Sequence, residues 1–371
     1  MTRILHVAAV EFTATKLLRP QLEFLSDRGF EVHAAFRPDG DAFPAELLRF
    51  SPTALSFRRS GNVSMMAKGT LDLVRLVKRL RPAIVHLHSP ATALPARVGL
   101  AFKRYGAKVV YTVHGFPQAW DAMTSKDKAL DRIEKALSYV TDLTMFQALE
   151  DLEQAQQRHY RSRLTYLGNG VGDEWFTGEN PFRITEDKTL RLVFVGRLVR
   201  EKGVLELVKA VAGLSNVELT LVGNSLPSDR DSVASEVIEM ASKLGGRIKV
   251  LGMLSSNEIR ALHKIHDCFV LPSWREGVPR SLIEAMASGL PAIATDIRGC
   301  RELIRPGVDG WLTIPKSVPS LVKAITEASL LQKNSLSLLG ASAYERASTT
   351  YRESLVFERL LRSYAELGVV A

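Results

Sequence analysis

Short apolar runs alternate with amphipathic stretches along the whole chain. In the first half, the runs that predict strands are Ile4–Val10, Glu31–Phe36, Ile84–His88, Val109–His114 and Leu143–Phe146. Stretches with helical spacing separate them, at Lys16–Asp27, Leu71–Leu80, Ala91–Tyr105, Asp127–Tyr139 and Leu149–Arg158. This alternation predicts a parallel sheet with helices on both faces.

A second set of alternating elements follows the polar stretch Gly178–Thr189, which is typical of a linker. Its predicted strands are Leu190–Val195, Val217–Val222, Ile248–Leu251, Cys268–Leu271 and Ala292–Thr295. We therefore expect an α/β protein with two doubly wound, Rossmann-like domains, residues 1–177 and 178–351. A last helix within residues 352–371 can pack on either domain. Ligands of open parallel sheets lie beyond the carboxyl ends of the strands, so two such edges facing each other would form one cleft.

Composition supports a folded protein and constrains its compartment. Of 371 residues, 46% are hydrophobic and 24% charged, which is ordinary for globular proteins. Two cysteines, Cys268 and Cys300, cannot build a disulfide framework, and this favours the reducing cytoplasm. The chain shows neither a signal-peptide pattern nor an apolar stretch of about 20 residues, so any membrane contact is predicted to be peripheral.

The net charge of +9 is concentrated in the first half. Residues 42–120 contain two acidic side chains, Glu46 and Asp72, against twelve basic ones. Singly, such residues are usually solvated. As a cluster they favour an anionic partner, such as lipid head groups on the inner membrane face or a diphosphate acceptor. The basic residues are Arg49, Arg58, Arg59, Lys68, Arg75, Lys78, Arg79, Arg81, Arg97, Lys103, Arg104 and Lys108.

A loop and helix at residues 273–291 carry candidate chemistry. Pro279 or Arg280 can begin a helix of about three turns, and Gly289 followed by Pro291 ends it. The backbone N–H groups before such a helix form a seat for an anion, and phosphate is the obvious occupant. Glu276 and Glu284 can accept hydrogen bonds from sugar hydroxyls. Alternatively, they are a turn residue and a surface helix residue.

A second candidate segment, Phe194–Val204, holds Arg197 and Lys202 at a predicted strand end. A guanidinium and an ammonium group suit a diphosphate leaving group, whose negative charge grows as the bond to it breaks. Arg200 lies between them and is expected to face solvent.

Histidines and paired aspartates raise the question of a metal. His114 follows a strand at the edge where ligands collect, although a lone strand-end histidine is more often structural. His86 and His88 share one strand face but offer too few ligands for a metal site. The Asp-x-Asp segments at Asp39 and Asp229 match a known metal-binding motif, and we interpret them as turns. No metal or other cofactor is expected.

The glutamate pair and its surroundings resemble a known family. The stretch Glu276-Gly-Val-Pro…Glu284-Ala-Met-Ala-Ser-Gly-Leu-Pro, with Ala294–Leu312 after it, is similar to the donor-site motif of retaining GT-B glycosyltransferases of family 4. The resemblance implies the GT-B fold, with Glu276 on the transferred sugar and Glu284 on the ribose.

By the same resemblance, Arg197 and Lys202 bind the diphosphate and His114 lines the cleft near the reacting sugar. The implied catalytic residues are therefore His114, Glu276, Arg197 and Lys202. The implied donor-binding residues are Gly196, Arg197, Lys202, Glu276, Gly277, Val278, Pro279, Leu282 and Glu284. One departure is the first loop, where Glu11–Lys16 replaces the family's paired glycines. Hydroxyls of Thr13 and Thr15 could replace the backbone contacts there.

The resemblance implies a retaining, metal-independent transferase. It would move a hexose or N-acetylhexosamine from a nucleotide diphosphate sugar, with UDP expected, to a lipid-linked or glycan acceptor in cell-surface polysaccharide synthesis. No nucleic-acid partner is expected. The alternatives are an epimerase or phosphorylase on the same fold, or a nucleotide-sugar-binding protein without activity. A dehydrogenase is disfavoured because no Gly-x-Gly-x-x-Gly follows the first strand.

Overall fold

The computed structural model describes residues 1–57, 63–116, 123–176, 188–225, 229 and 231–371. The chain divides into two compact units, one of residues 1–168 with 357–371 and one of residues 169–356. The sequence-based boundary, after residue 177, lies a few residues inside the second unit. Residues 178–187 of the expected linker lie outside the described part.

The first unit contains a seven-stranded parallel sheet. Its strands are β1 (Arg3–Val7), β2 (Glu31–Phe36), β3 (Thr53–Ala54), β4 (Ile84–His88), β5 (Lys108–Val113), β6 (Leu143–Phe146) and β7 (Arg163–Tyr166). Its helices are α1 (Arg19–Asp27), α2 (Val63–Leu80), α3 (Pro90–Phe102), α4 (Ser125–Leu137) and α5 (Leu149–Gln157). The strand order is β3-β2-β1-β4-β5-β6-β7, so the winding reverses between β1 and β4.

The second unit repeats this plan with six parallel strands, whose order is β10-β9-β8-β11-β12-β13. They are β8 (Leu190–Val195), β9 (Val217–Val222), β10 (Ile248–Val250), β11 (Cys268–Leu271), β12 (Ala292–Thr295) and β13 (Gly310–Thr313). The helices are α6 (Val204–Ala212), α7 (Ala234–Ser242), α8 (Ser256–His263), α9 (Arg280–Ala287), α10 (Cys300–Leu303), α11 (Val318–Leu330) and α12 (Lys333–Thr350). A last helix, α13 (Glu353–Ala365), begins in this unit. Here the winding reverses between β8 and β11.

The strands are apolar on both faces because helices cover both. In the first unit, Leu5, Val85 and Val109 are fully buried on adjacent central strands. In the second, Val193, Phe269 and Ile293 play the same part. The predicted strands are all present in shifted or equal bounds, and the prediction of two doubly wound domains is confirmed.

Three strands were missed by the sequence pattern: β3, β7 and β13. β3 has two residues, and β7 and β13 have four each, all at or near sheet edges, where the apolar signal is weakest. The first helix also begins differently. A π-helical turn at Thr13–Leu18 precedes α1, and the Thr15 hydroxyl donates a hydrogen bond to the carbonyl of Glu11 at 3.1 Å.

Residues of α13 from Phe357 onward belong to the first unit. The Tyr364 hydroxyl lies 2.6 Å from Nδ1 of His86, and Nε of Arg359 donates to the carbonyl of Leu167 at 2.8 Å. The carboxyl-terminal part of α13 therefore packs against the first unit. Within the described ranges, no helix combines the length and apolar character that a membrane span requires.

One of the twelve basic residues is unavailable to an anionic surface. Arg97 is 1% exposed, and its Nη2 donates to Oε2 of buried Glu134 at 2.7 Å. Its guanidinium also lies over the ring of Tyr111, 4.4 Å from the centroid. Its expected part in an anion-binding cluster is therefore wrong, because the side chain is an interior ion pair. Arg58 and Arg59 lie outside the described residues.

We predict that Arg97→Ala lowers the free energy of unfolding by about 3–5 kcal/mol, because Glu134 is left buried and unpaired. The double variant Arg97→Met/Glu134→Leu removes both charges and should lose much less. Denaturant unfolding followed by circular dichroism measures both. Equal losses in the two proteins would show that the unpaired carboxylate is not the cause.

Candidate active site

The loops that follow β8 and β11 meet at the point where the second sheet reverses its winding. The first runs from Gly196 to Gly203 and includes a 3₁₀ turn at Arg200–Lys202. The second runs from Pro272 to Pro279 and leads into α9. Reversal points are where open parallel sheets bind ligands, because neighbouring loops diverge there and leave room.

Two glycines allow these loops to approach closely. Gly203 has a φ of 68°, and a Cβ there would lie 2.1 Å from the carbonyl oxygen of Pro272. Gly299, with a φ of 79°, has no room either, since its Cβ would lie 1.3 Å from the carbonyl oxygen of Gly277. Any other residue at these positions would push the backbone segments apart.

An ion pair joins the two loops. Nζ of Lys202 lies 2.5 Å from Oε1 of Glu276, and the side chains are 19% and 12% exposed. The Ser273 hydroxyl donates to the same Oε1 at 2.7 Å. The hydroxyl of Thr295, at the end of β12, donates to the carbonyl of Ser273 at 2.5 Å. The Glu276 carboxylate is thus held by two donors at the carboxyl edge of the sheet.

Arg197 is held by two other carboxylates. Its Nη1 donates to Oδ1 of Asp229 at 2.5 Å and its Nη2 to Oε1 of Glu201 at 3.1 Å. Glu201 also accepts from Nε of Arg275 at 2.9 Å. Each predicted diphosphate-binding cation therefore has an internal carboxylate partner, which a bound diphosphate would have to replace.

Sequence reasoning missed three residues of this arrangement. Asp229 was interpreted as a turn residue, yet its carboxylate is 8% exposed and bonded to Arg197. Ser273 and Glu201 lie within the candidate segments 273–291 and Phe194–Val204, but no role was predicted for them. Their polar types beside Glu276 and Lys202 were a signal, but a contact between loops separated by about 70 residues cannot be deduced from spacing.

The start of α9 presents its backbone to the same region. Val278 and Leu282 are buried and anchor the helix, while Gly196, Gly277 and Glu284 are only partly buried. The side-chain amide of Asn169 donates to the carbonyl of Val278 at 2.8 Å. α9 has eight residues after Pro279, about two turns rather than the three expected.

Glu284 does not share partners with Glu276. It lies near Arg280, Glu174 and Glu353, and Arg280 donates to Glu353 at 2.9 Å. Burial raises the pKa of Glu284 to about 7, with Arg280 opposing the shift and the two carboxylates adding to it. This environment favours the protonated form of Glu284.

His114 lies in the first unit, directly after β5 and beside three more histidines. Its Nε2 is 3.2 Å from Nδ1 of His88, whose Nε2 is 3.1 Å from Nδ1 of His6. Both ring nitrogens of His86 contact hydroxyls, those of Tyr364 and Thr112, each at 2.6 Å. The four rings gather at the carboxyl ends of β1, β4 and β5, next to the reversal point of the first sheet.

Three of these histidines come close enough to be considered as metal ligands. Nitrogen atoms of His6, His86 and His88 lie within 4.8 Å of one another. The rings of His86 and His88 are stacked at 4.2 Å with an angle of 29°, so their in-plane lone pairs do not converge on one point. Since His86 also has both nitrogens hydrogen bonded, the group fits a hydrogen-bonded cluster better than a coordination sphere.

Known families match both halves of the chain. Residues 178–346 match the family described as Glycosyl transferases group 1, and residues 21–174 match the family described as Glycosyltransferase Family 4. A Bacillus subtilis protein named "Putative teichuronic acid biosynthesis glycosyltransferase TuaC" is 37% identical over 324 residues, covering 84% of this chain and 74% of that protein. The chain belongs to the group 1 glycosyltransferases.

Two further comparisons add detail. The Escherichia coli UDP-Gal:alpha-D-GlcNAc-diphosphoundecaprenol alpha-1,3-galactosyltransferase is 27% identical over 282 residues, 71% of each chain. The Anabaena HepE structure in complex with UDP and glucose superposes with a TM-score of 0.77 at 18% identity, covering 98% of this glycosyltransferase and all of HepE. At that identity the likeness shows the shared fold, and the GT-B prediction is confirmed.

We predict that Glu284→Gln stabilises the glycosyltransferase more at pH 8 than at pH 5. A carboxyl whose folded pKa is raised from 4.5 to about 7 loses folding stability as pH rises between those values, and the amide does not. The difference amounts to roughly 3 kcal/mol at most. Thermal unfolding of both proteins at the two pH values tests this, with the exposed Glu236→Gln as control. The same shift at both pH values would contradict the raised pKa.

Proposed function

We propose that this glycosyltransferase retains anomeric configuration, needs no metal, and moves a hexose or N-acetylhexosamine from UDP to a lipid-linked or glycan acceptor in cell-surface polysaccharide synthesis. The observation that carries the proposal is the convergence of Arg197, Lys202 and Glu276 at the reversal point of the second sheet. In support, HepE was solved with UDP and glucose, and the E. coli relative is named for a diphosphoundecaprenol acceptor.

In this proposal the donor exchanges with the internal carboxylates. The diphosphate takes the places of Glu276 on Lys202 and of Asp229 on Arg197. Glu276, once released from Lys202, accepts hydrogen bonds from hydroxyls of the sugar, and Glu284 meets the ribose. The exchange keeps both cations paired, while Glu276 gains the sugar hydroxyls and Asp229 loses the partner that Arg197 provided.

The transfer step then needs no nucleophilic side chain. The bond between the anomeric carbon and the phosphate oxygen breaks, and the acceptor oxygen bonds to that carbon on the same face. The acceptor's proton passes to the departing phosphate oxygen. Lys202 and Arg197 stabilise the charge that grows on that phosphate, which is the task a metal performs in other transferases.

The direct test is release of UDP from a UDP-sugar panel in the presence of EDTA, with and without an undecaprenyl-diphosphate sugar acceptor. Release that depends on acceptor and survives EDTA, with an α-linked product by NMR, supports the proposal. A requirement for added divalent metal overturns the metal-free part. Turnover without an acceptor favours an epimerase, and UDP binding without any turnover favours a binding protein.

We predict that Lys202→Ala lowers kcat by at least a hundredfold and changes KM for the donor much less. The reason is that the ammonium group contributes most when the leaving phosphate carries its full charge. Steady-state kinetics measures both constants. Arg200→Ala removes an exposed charge from the same 3₁₀ turn and should be nearly neutral. A Lys202→Ala effect confined to KM would contradict this role.

We further propose that the first domain associates peripherally with anionic membranes. Exposed basic side chains lie along and just after α2 and after α3, where Phe102 is 84% exposed beside them. They are Lys68, Arg75, Lys78, Arg79, Arg81, Lys103 and Arg104. Arg75 and Arg104 also pair with Asp72 and Asp142. Each basic residue near an anionic surface contributes on the order of 1 kcal/mol, within a Debye length of about 8 Å.

Replacing Lys78, Arg79 and Lys103 together by serine should lower binding to phosphatidylglycerol vesicles at least tenfold. Sedimentation across a salt series measures the binding, and neutral vesicles should bind little of either protein. A matched control, Lys243→Ser with Lys323→Ser, removes exposed charges from the second domain. Wild-type binding that ignores lipid charge and salt, or no binding, removes the membrane proposal and favours a soluble acceptor.

A further inference from the structure

The imidazole rings of His6, His88 and His114 in the first domain form a hydrogen-bonded row. His6 Nδ1 meets His88 Nε2 at 3.1 Å, and His88 Nδ1 meets His114 Nε2 at 3.2 Å. His6 and His88 are buried, and their rings are inclined by only 16°. The central ring therefore uses both nitrogens on other histidines, one toward the interior and one toward the candidate site residue.

The positions of the protons along this row of histidines depend on one another. A neutral imidazole has one N–H donor and one acceptor nitrogen, so each ring must donate on one side and accept on the other. Burial keeps the rings neutral: it lowers the pKa of His6 to about 3, that of His114 to about 4 and that of His88 well below the usual value. Only two arrangements remain, with all donors pointing toward His114 or all pointing away from it.

The nitrogen at the His6 end of the row distinguishes the two arrangements. Nε2 of His6 is buried and has no hydrogen-bond partner among the described residues. A buried nitrogen without a partner loses its hydration whether it carries a proton or a lone pair, but an orphaned N–H is the rarer of the two in native proteins. His6 therefore carries its proton on Nδ1 and donates to His88. His88 in turn donates from Nδ1 to His114.

We propose that His6 and His88 are positioning residues that hold His114 in its Nδ1–H tautomer, so that His114 meets ligand as a hydrogen-bond donor and not as a base. Its Nε2 lone pair is occupied by His88. The side chain of Gln147, which is hydrogen bonded to His114, offers an amide oxygen that suits an Nδ1–H. A hydroxyl or phosphate oxygen of donor or acceptor would take this N–H in exchange for the side chain of Gln147.

The tautomer does not depend on the proposed function, but its use in catalysis does. An N–H at His114 agrees with a reaction in which the leaving phosphate takes the acceptor's proton, because no side chain then has to act as base. His86 is not part of this row, because its ring nitrogens contact the hydroxyls of Tyr364 and Thr112. Its ring packs against that of His88.

The test is long-range ¹H–¹⁵N NMR of the ligand-free, ¹⁵N-histidine-labelled full chain, in which protonated and unprotonated ring nitrogens have widely separated shifts. Wild-type His114 should show a protonated Nδ1 and an unprotonated Nε2. His6→Asp places a carboxylate where His6 Nδ1 was, which should make His88 donate from Nε2 and invert His114 to Nε2–H. His6→Leu leaves that end without a partner and should keep the wild-type tautomer.

His33→Leu serves as a matched control, because His33 lies on β2 of the same sheet and bonds to Glu31 instead. Nε2–H at wild-type His114, or His114 unchanged in folded His6→Asp, overturns the proposal. If His6→Asp does not fold, the wild-type spectrum alone still decides the tautomer. Turnover should fall at least tenfold further in His6→Asp than in His6→Leu. A wild-type protein that releases no UDP would refute the proposed function. The NMR spectra would then still decide whether His6 and His88 set the tautomer of His114.

Discussion

The contact between Lys202 and Glu276 is the interaction on which the second domain's site depends. It joins loops from two strands that are neighbours in the sheet but about 70 residues apart in sequence. Gly203 and Gly299 leave the room that the surrounding backbone segments need to touch. A positive charge is thereby held at the reversal point of the sheet, together with the carboxylate that balances it before a donor arrives.

This balance explains why the site is built from pairs. A partly buried ammonium or guanidinium without a partner would be costly, so each cation meets an internal carboxylate: Lys202 meets Glu276, and Arg197 meets Asp229 and Glu201. In the proposed exchange, a diphosphate would bring the same charge type as the carboxylates that it displaces. Affinity in such a site reflects the difference between two ion pairs, which favours discrimination between ligands over sheer tightness.

The sequence predicted the repeated strand and helix pattern, the loop before α9 and the cationic pair, because apolar periodicity and helix-end residues are local signals. It did not predict which distant side chains meet. Asp229 was dismissed as a turn residue. Arg197 was assigned from its place at a strand end and from the family resemblance, and Arg97 on charge alone. The structure separates those two arginines: one lies at a sheet edge, and the other is an interior ion pair with Glu134. Charge type is visible in sequence, whereas burial and partners depend on strand order.

The histidines illustrate the same limit in the first domain. His86 and His88 were recognised as sharing a strand face, but the hydrogen-bonded row of histidines runs through His6 on β1 and His114 directly after β5. Parallel register places His6 beside His86 and His88 beside Thr112, and only then do the four rings gather at one edge. A residue near the start of the chain thus reaches the candidate site through one intervening ring.

The most direct measurement is calorimetric titration of UDP into wild-type protein and Glu276→Gln, combined with turnover of a UDP-sugar. If Lys202 exchanges Glu276 for diphosphate, the amide variant binds UDP at least as tightly as wild type, because its ammonium group is already released. Its turnover falls by orders of magnitude, since the sugar loses its carboxylate. Loss of UDP affinity in parallel with turnover would contradict the exchange and place Glu276 on the nucleotide instead.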